Sequence, residues 1–185
     1  MAEYYLISQL PSLDGLSESA PLPITEERFA ELCGRFLSKR ARAIMEKLTL
    51  SPSRTVEKTG SALVDAWNEG EQNLRFALGK ARAEKMKKAF DTESRIFPVE
   101  HVKAASAAME TENPMEAEKL LNLYRLQRLE ALRPTDNFSE EYVFYYGLKL
   151  KLLLRIRRFD TAIGERAYKS IYNAILNGDR LEAIQ

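Results

Sequence analysis

Side chains suited to catalysis or metal binding are scarce in this sequence. Its 185 residues contain one cysteine, Cys33, and one histidine, His101. A disulfide needs two cysteines and a Cys/His zinc site needs about four ligands, so the chain can build neither by itself. A Cys–His catalytic pair would have to form between residues far apart in sequence. We expect Cys33 to be a buried thiol and His101 to be partly exposed, one turn into a helix.

The common catalytic motifs are also missing from the sequence. Gly79-Lys80 is followed by Ala81, and the position five before Gly79 is Leu74, so no phosphate-binding loop is formed. Pro98 stands three residues before His101, where the Glu-x-x-His motif of a di-iron bundle would have glutamate. We therefore expect no catalytic residue, no cofactor and no metal, and the sequence favours a protein that is not an enzyme.

Basic side chains are concentrated in two stretches that hold few acids. They supply the candidate partner-binding residues Arg75, Arg82, Lys149, Lys151, Arg155, Arg157 and Arg158. Such stretches can be solvated faces with salt bridges to acids elsewhere, a surface for an acidic protein partner, or a surface for nucleic acid. The 28 basic and 27 acidic residues give a net charge of +1, which disfavours a general polyanion binder. Nucleic acid is therefore the least favoured of these partners.

The longest predicted element is a helix from about Ser61 to Lys88. Its apolar and small residues recur in steps of four and three, which forms a heptad-like seam. The seam consists of Leu63, Trp67, Gly70, Leu74, Ala77 and Ala81. Small residues in the seam indicate close contact with another helix, and we expect Trp67 and Leu74 to be buried. Glu71 and Arg75 are spaced i,i+4 beside Trp67, which suits a partly buried ion pair that fixes the helix.

Capping signals and helical periodicity predict the other elements. Thr25 is a candidate N-cap for an amphipathic helix, and Ser139 starts a helix that is apolar on most sides as far as about Arg158. Asn113, Pro114 and Glu116 form a strong start signal for another. A last helix is predicted from a cap at Asp160 to a stop at Asn177-Gly178. The segment from Tyr4 to Pro11 is ambiguous between a short strand and a helix.

Together these elements predict an all-α protein, an elongated multi-helix bundle with one long central helix. We interpret residues 1–185 as a single helical domain, with a possible division into residues 1–60 and 61–185. The apolar run from Val143 to Leu148 is far shorter than the roughly 20 residues that a membrane helix needs. We expect a cytoplasmic protein without direct membrane insertion, and docking onto a membrane-bound complex stays open.

Several segments resemble a small bacterial family of unknown function whose genes accompany those of V-type ATP synthases. The resemblance covers most of the chain as scattered short patterns. They are Tyr4 to Pro11, Ile24 to Ser38, Trp67 with Glu71 and Asn73-Leu74-Arg75, Ala81-Arg82-Ala83, Asn113 to Glu118, and Tyr146 to Leu150 with Arg155. We regard Trp67, Glu71, Leu74, Asn113, Pro114 and Glu116 as candidate structural positions of that family.

The family is similar in turn to a shortened form of the funnel-like V-type ATP synthase subunit that joins the rotor shaft to the membrane ring. That subunit is an all-helical part of the central stalk, much longer than this chain and built of three similar helical units. The resemblance implies a non-catalytic coupling or assembly component that binds other ATP synthase subunits and takes no small-molecule substrate. The alternative hypothesis is a stand-alone helical adaptor or regulatory protein that uses its basic helix faces to bind an acidic protein or nucleic acid.

Overall fold

The computed structural model describes residues 2–15, 21–53, 55, 57–90, 97–158, 168–173 and 175. Within these residues the chain is helical and contains no strand, which confirms the predicted all-α class. The helices are α1 (Ala2–Ser8), α2 (Glu26–Phe36), α3 (Lys39–Glu46), α4 (Ala62–Lys85), α5 (Val99–Glu110), α6 (Pro114–Ala131) and α7 (Glu140–Arg157). Residues 168–173 and 175 are also helical. The predicted cap at Asp160 and the stop at Asn177-Gly178 lie outside the described residues.

Five of the described helices, α2, α3, α4, α6 and α7, begin at a side chain that accepts a hydrogen bond from a backbone N–H of the first turn. The side chain of Thr25 accepts a hydrogen bond from the Arg28 N–H, and Ser139 accepts one from the Tyr142 N–H. Asn113 caps α6, whose first residue is proline. The structure thus confirms the predicted helix starts at these three caps. They could be predicted from sequence because capping depends on chemistry within one helical turn.

Helix α4 is the longest element, with 24 residues that extend about 36 Å at 1.5 Å per residue. It begins after the N-cap Ser61 and agrees with the predicted range to within three residues. Lys87, two residues beyond the end of the helix, has a φ of 51°. The N–H of Lys88 donates to the Ala83 carbonyl and the N–H of Lys87 donates to the Glu84 carbonyl. This hydrogen-bond pair is a Schellman motif, in which glycine is the usual residue at the left-handed position.

The buried apolar residues form two clusters that share α4. The larger cluster joins α1, α2, α3, the first half of α4, the end of α6 and α7, and it includes Trp67. In the smaller cluster, Leu74, Ala77 and Leu78 of α4 pack against α6 and against three alanines of α5. Trp67 and Leu74 are fully buried, as the seam predicted. Alanines offer little area for burial, so apolar packing holds α5 less strongly than it holds α7.

The first segment of the chain is helical, so the extended alternative for residues near Tyr4 is wrong. Helix α1 packs on α2, and Leu6 is fully buried in the larger cluster while Tyr4 and Tyr5 stay exposed. The β-propensity of tyrosine and isoleucine is a weak preference, and the burial of one helical face outweighs it.

Helix α7 is buried on nearly all sides. Every residue from Val143 to Leu150 is buried, in agreement with the predicted apolar circumference. Across the part of the chain that the structure describes, no helix is both long and apolar enough to span a bilayer.

Candidate functional site

A buried ion pair connects α4 to α6 between the two apolar clusters. The Glu71 side chain is 2% exposed, and the Arg125 Nε donates to both of its carboxylate oxygens at 3.1 Å. The predicted Glu71–Arg75 pair is wrong, because Arg75 is exposed and donates from Nη1 to the Pro52 carbonyl at 2.6 Å. A buried carboxylate needs a cation that is buried with it, and α6 supplies that cation.

This ion pair extends to α7 through a second acid. Arg125 Nη1 donates to Asn122 Oδ1 at 3.2 Å and lies 3.5 Å from Glu118 Oε1. Arg155 of α7 donates to the same Glu118 oxygen. Helices α4, α6 and α7 are thus linked by one chain of charges. We give the name polar layer to the buried residues Glu71, His101, Asn122 and Arg125 together with the half-buried Arg128.

His101 of α5 belongs to the polar layer and is 5% exposed, so its predicted partial exposure is wrong. Its Nε2 contacts Nη1 of Arg128. A guanidinium only donates, so Nε2 accepts and the imidazole proton lies on Nδ1. Burial and the nearby Arg128 charge lower the pKa of His101, while the Gly70 backbone and Glu100 act in the opposite direction. The imidazole is therefore held neutral near pH 7.

Gly70 lets the Arg128 guanidinium lie directly on α4. A Cβ atom at Gly70 would be 1.6 Å from Arg128 Cζ, which is far inside any contact distance. Arg128 Nη2 donates to the Ala66 carbonyl at 2.9 Å, so the guanidinium is held at this place from two sides. The small residue in the predicted seam makes room for an arginine side chain.

The histidine of the polar layer does not lie beside the single cysteine. Cys33 lies in the larger apolar cluster, whereas His101 contacts groups near the smaller one, so the two do not form a pair. Burial raises the pKa of the Cys33 thiol to about 12. Among the described residues, no group of three or more His, Cys, Asp and Glu side chains could hold a metal ion. The layer orients α4, α5 and α6 relative to one another, and the contacts of Glu118 with Arg125 and Arg155 extend this link to α7.

Three of the predicted partner-binding residues on α7 form ion pairs inside the protein. Lys149 is buried and donates to Asp14, Glu130 and the Tyr145 hydroxyl. Burial by itself would lower the pKa of Lys149, but these hydrogen bonds outweigh it and raise the pKa. Lys151 pairs with Glu26, the first residue of α2. Arg155 pairs with Glu118, as described above.

The other candidate cations have different surroundings. Arg75 holds the loop before α4 through the Pro52 carbonyl, and so acts within the fold. Arg82 and Arg158 are exposed and Arg157 is half-buried. In the described ranges none of these last three has a salt-bridge partner. They retain a charge that a partner could use.

A groove beside the C-terminal half of α7 collects several of these charges. Its volume is about 430 Å³. The lining residues come from α2, α7 and the turn after α3, and they are Glu26, Leu48, Thr49, Leu50, Lys151, Leu154, Arg155 and Arg158. We call it the α7 groove. It combines a cationic rim with leucine side chains, which is a surface that can bind an anion carrying apolar groups.

The candidate family positions have structural roles. Trp67 is buried and donates from Nε1 to the Thr49 carbonyl at 3.2 Å, and Leu74 fills the smaller cluster. Asn113 and Pro114 start α6, with Glu116 in its first turn, where an acid interacts favourably with the helix dipole. These positions explain how the chain folds.

A second surface is apolar and lies near the end of the chain. Tyr168, Ile171, Tyr172 and Ile175 follow the i, i+3, i+4, i+7 pattern on helical residues, and each is between 51% and 68% exposed. The Tyr168 and Tyr172 rings stack with centroids 6.0 Å apart. We call these four residues the tail stripe. Nothing in the described part of the chain covers it.

Sequence reasoning missed Arg125 and Arg128, although the sequence holds a signal for Arg125. It lies midway between Leu121 and Leu129 at i+4 spacing, and both leucines are buried. A charged residue at an apolar position of a helix indicates a buried polar contact, since such a charge is rarely buried without a partner. Its partner could not be identified from that pattern.

Comparison with known families gives one similarity. Residues 89–179, just under half of the chain, match the model of a family described as "Protein of unknown function (DUF2764)". That family has no assigned function. The matched region contains α5, α6, α7 and the tail stripe. The expected resemblance to a family of unknown function is thereby supported in part, and nothing in the match links it to V-type ATP synthase or to its central stalk. No curated protein and no solved structure matches the chain.

Proposed function

We propose that this chain is a non-catalytic helical component or accessory of a V-type rotary ATP synthase, with a coupling or assembly role like that of the central stalk. The observation that carries the proposal is the tail stripe. Four large apolar side chains on one helical face are exposed in the isolated chain. Contiguous apolar surface of this kind marks a site of protein interaction, because exposing it to water is unfavourable.

The choice of the V-type ATP synthase as the complex is supported by the sequence segments that resemble the family whose genes accompany it. In the structure the segments around Trp67 and Leu74 supply core residues, and the segment at Asn113 supplies a helix start. Residues in such positions maintain a fold, so the resemblance is compatible with kinship to a helical stalk component. The polar layer adds stiffness between helices, which suits a component that transmits force.

Co-purification from the native host tests the proposal. A tagged chain should recover ATP synthase subunits in mild detergent. Ile171→Ser should reduce this recovery strongly, whereas Asn173→Ser, a change at another exposed position of the same helical segment, should leave it unchanged. Both positions are exposed, so we expect each substitution to alter stability by less than about 0.5 kcal/mol. Isolation of the intact ATP synthase without this chain, under the same conditions, would contradict the proposal.

The α7 groove favours a second candidate function, a stand-alone adaptor that binds an acidic protein. The two candidates differ in what the tagged chain recovers. The adaptor should recover an acidic partner without ATP synthase subunits, and the complex should dissociate as salt screens its charges.

A further inference from the structure

The charges that line the α7 groove are unevenly satisfied. In the described part of the lining, three cations face one acid, Glu26. Lys151 is held by that acid, and Arg155 donates one N–H to Glu118. A guanidinium has five N–H donors, so Arg155 keeps donors for another anion. Arg158 is exposed and lacks a salt-bridge partner in the ranges described. The groove therefore has an excess of positive charge that the fold leaves unused.

The apolar part of the lining lies next to these charges. Leu48 is buried, and Leu50 and Leu154 are half-buried against the larger cluster while part of each lines the groove. These leucines are fixed by the core behind them, so the surface they present is already formed. The groove is open to solvent, and its volume of about 430 Å³ leaves room for side chains of a bound segment.

The mixture of groups discriminates between classes of anion. Nucleic acid sites combine cations with aromatic side chains on which bases stack, and no aromatic side chain appears in the described lining. A peptide that alternates acidic and leucine-sized side chains places carboxylates on arginine and apolar groups on leucine.

We propose that the α7 groove binds an acidic segment of a partner protein, with carboxylates at Arg155 and Arg158 and a leucine-sized side chain against Leu48, Leu50 and Leu154. The inference rests on the proposed function only in that the occupant is a protein. Glu26 occupies Lys151 in the unbound chain and thereby weakens the site for an acidic ligand.

Fluorescence anisotropy with the full chain tests this inference. The probe is a fluorescein-labelled peptide that alternates glutamate and leucine, and the control probe has glutamine in place of glutamate. We expect the acidic probe to bind and the control probe to bind at least tenfold more weakly. Arg158→Gln should weaken binding of the acidic probe about tenfold, since it removes one charge-assisted contact. Arg42→Gln on α3, which does not line the groove, should not change it.

A variant that binds the acidic probe more tightly than the wild type cannot owe this change to loss of folding. Glu26→Gln should free Lys151 and tighten binding of the acidic probe several-fold. Glu27→Gln is its matched control, because Glu27 lies in the same first turn of α2 and outside the groove. Equal affinity of the two variants would overturn the inference.

Two other outcomes would also overturn it. One is equal binding of the glutamate and glutamine probes, and the other is tighter binding of a single-stranded oligonucleotide than of the acidic peptide. Failure of these peptide experiments together with successful recovery of ATP synthase subunits would refute the groove assignment and leave the proposed function standing. The reverse pattern would refute the ATP synthase assignment alone.

Discussion

Replacing Gly70 with alanine tests how the polar layer is built. In an exposed helix interior, glycine to alanine stabilises by about 1 kcal/mol, because alanine loses less backbone entropy on folding. At Gly70 the added Cβ would lie 1.6 Å from Arg128 Cζ, so the guanidinium must leave its place. It would lose its contacts with His101 and with the Ala66 carbonyl. The gain in helix propensity and the loss of these Arg128 contacts therefore change the free energy of unfolding in opposite directions.

The size of the loss follows from these two contacts. A hydrogen bond that involves a charged group contributes about 1.5–3 kcal/mol when buried, and we take about 1–2 kcal/mol for each because Arg128 is half-buried. The sum of about 2–4 kcal/mol exceeds the gain of about 1 kcal/mol from helix propensity. Gly70→Ala should therefore lower the free energy of unfolding by about 1–3 kcal/mol.

Urea denaturation followed by far-UV circular dichroism measures this change. A double-mutant cycle with Arg128→Met provides the decisive comparison, since methionine removes the guanidinium that the new Cβ would meet. In that background Gly70→Ala should become stabilising, by about 1 kcal/mol. A neutral or stabilising effect in the wild-type background would refute the argument, because it would show that Arg128 moves aside without cost.

Three further predictions concern other parts of the fold. The pKa of His101 is lowered from 6.5 in the folded chain, so on acidification the imidazole of the unfolded chain is protonated first. The free energy of unfolding should therefore fall as the pH drops from 7 through 6.5 towards the lowered pKa. Urea midpoints measured between pH 5 and 8 should show this decrease, and His101→Gln should remove it. Leu74→Ala should lower the free energy of unfolding in urea by about 2–5 kcal/mol, because Leu74 is fully buried. The control Leu123→Ala changes an exposed leucine and should cost less than about 0.5 kcal/mol. An equally small cost for Leu74→Ala would contradict its core role. Lys87→Gly should increase the free energy of unfolding by about 0.5–1 kcal/mol and so raise the thermal midpoint, since glycine adopts the φ of 51° without strain. A lower thermal midpoint would contradict this prediction.

The helical elements were predictable because their signals are local. The predicted caps at Thr25, Asn113 and Ser139 act within one turn, and the structure has each of them at a helix start. Periodicity likewise predicted the burial of the α4 seam and of α7. The first segment was harder, because β-propensity and helical spacing conflicted near Tyr4 and only the packing of Leu6 decided between them.

The candidate site was predictable in composition and much less so in arrangement. The sequence indicated which cations on α7 could matter, but Lys149 is buried among acids that lie 19 and 135 residues away. The leucines that complete the α7 groove come partly from the turn after α3 and carry no recognisable motif. A groove depends on the relative placement of distant segments, which no short pattern encodes.

The sequence by itself determined the all-α class, most helix boundaries and the shortage of catalytic side chains. Only the tertiary structure decided which charges pair. Glu71 has Arg75 four residues away, yet it pairs with Arg125, 54 residues further along the chain. Helical spacing brings a local partner within reach, but removing a carboxylate from water is costly unless a cation is buried with it. The contact of α4 with α6 across the polar layer meets that condition.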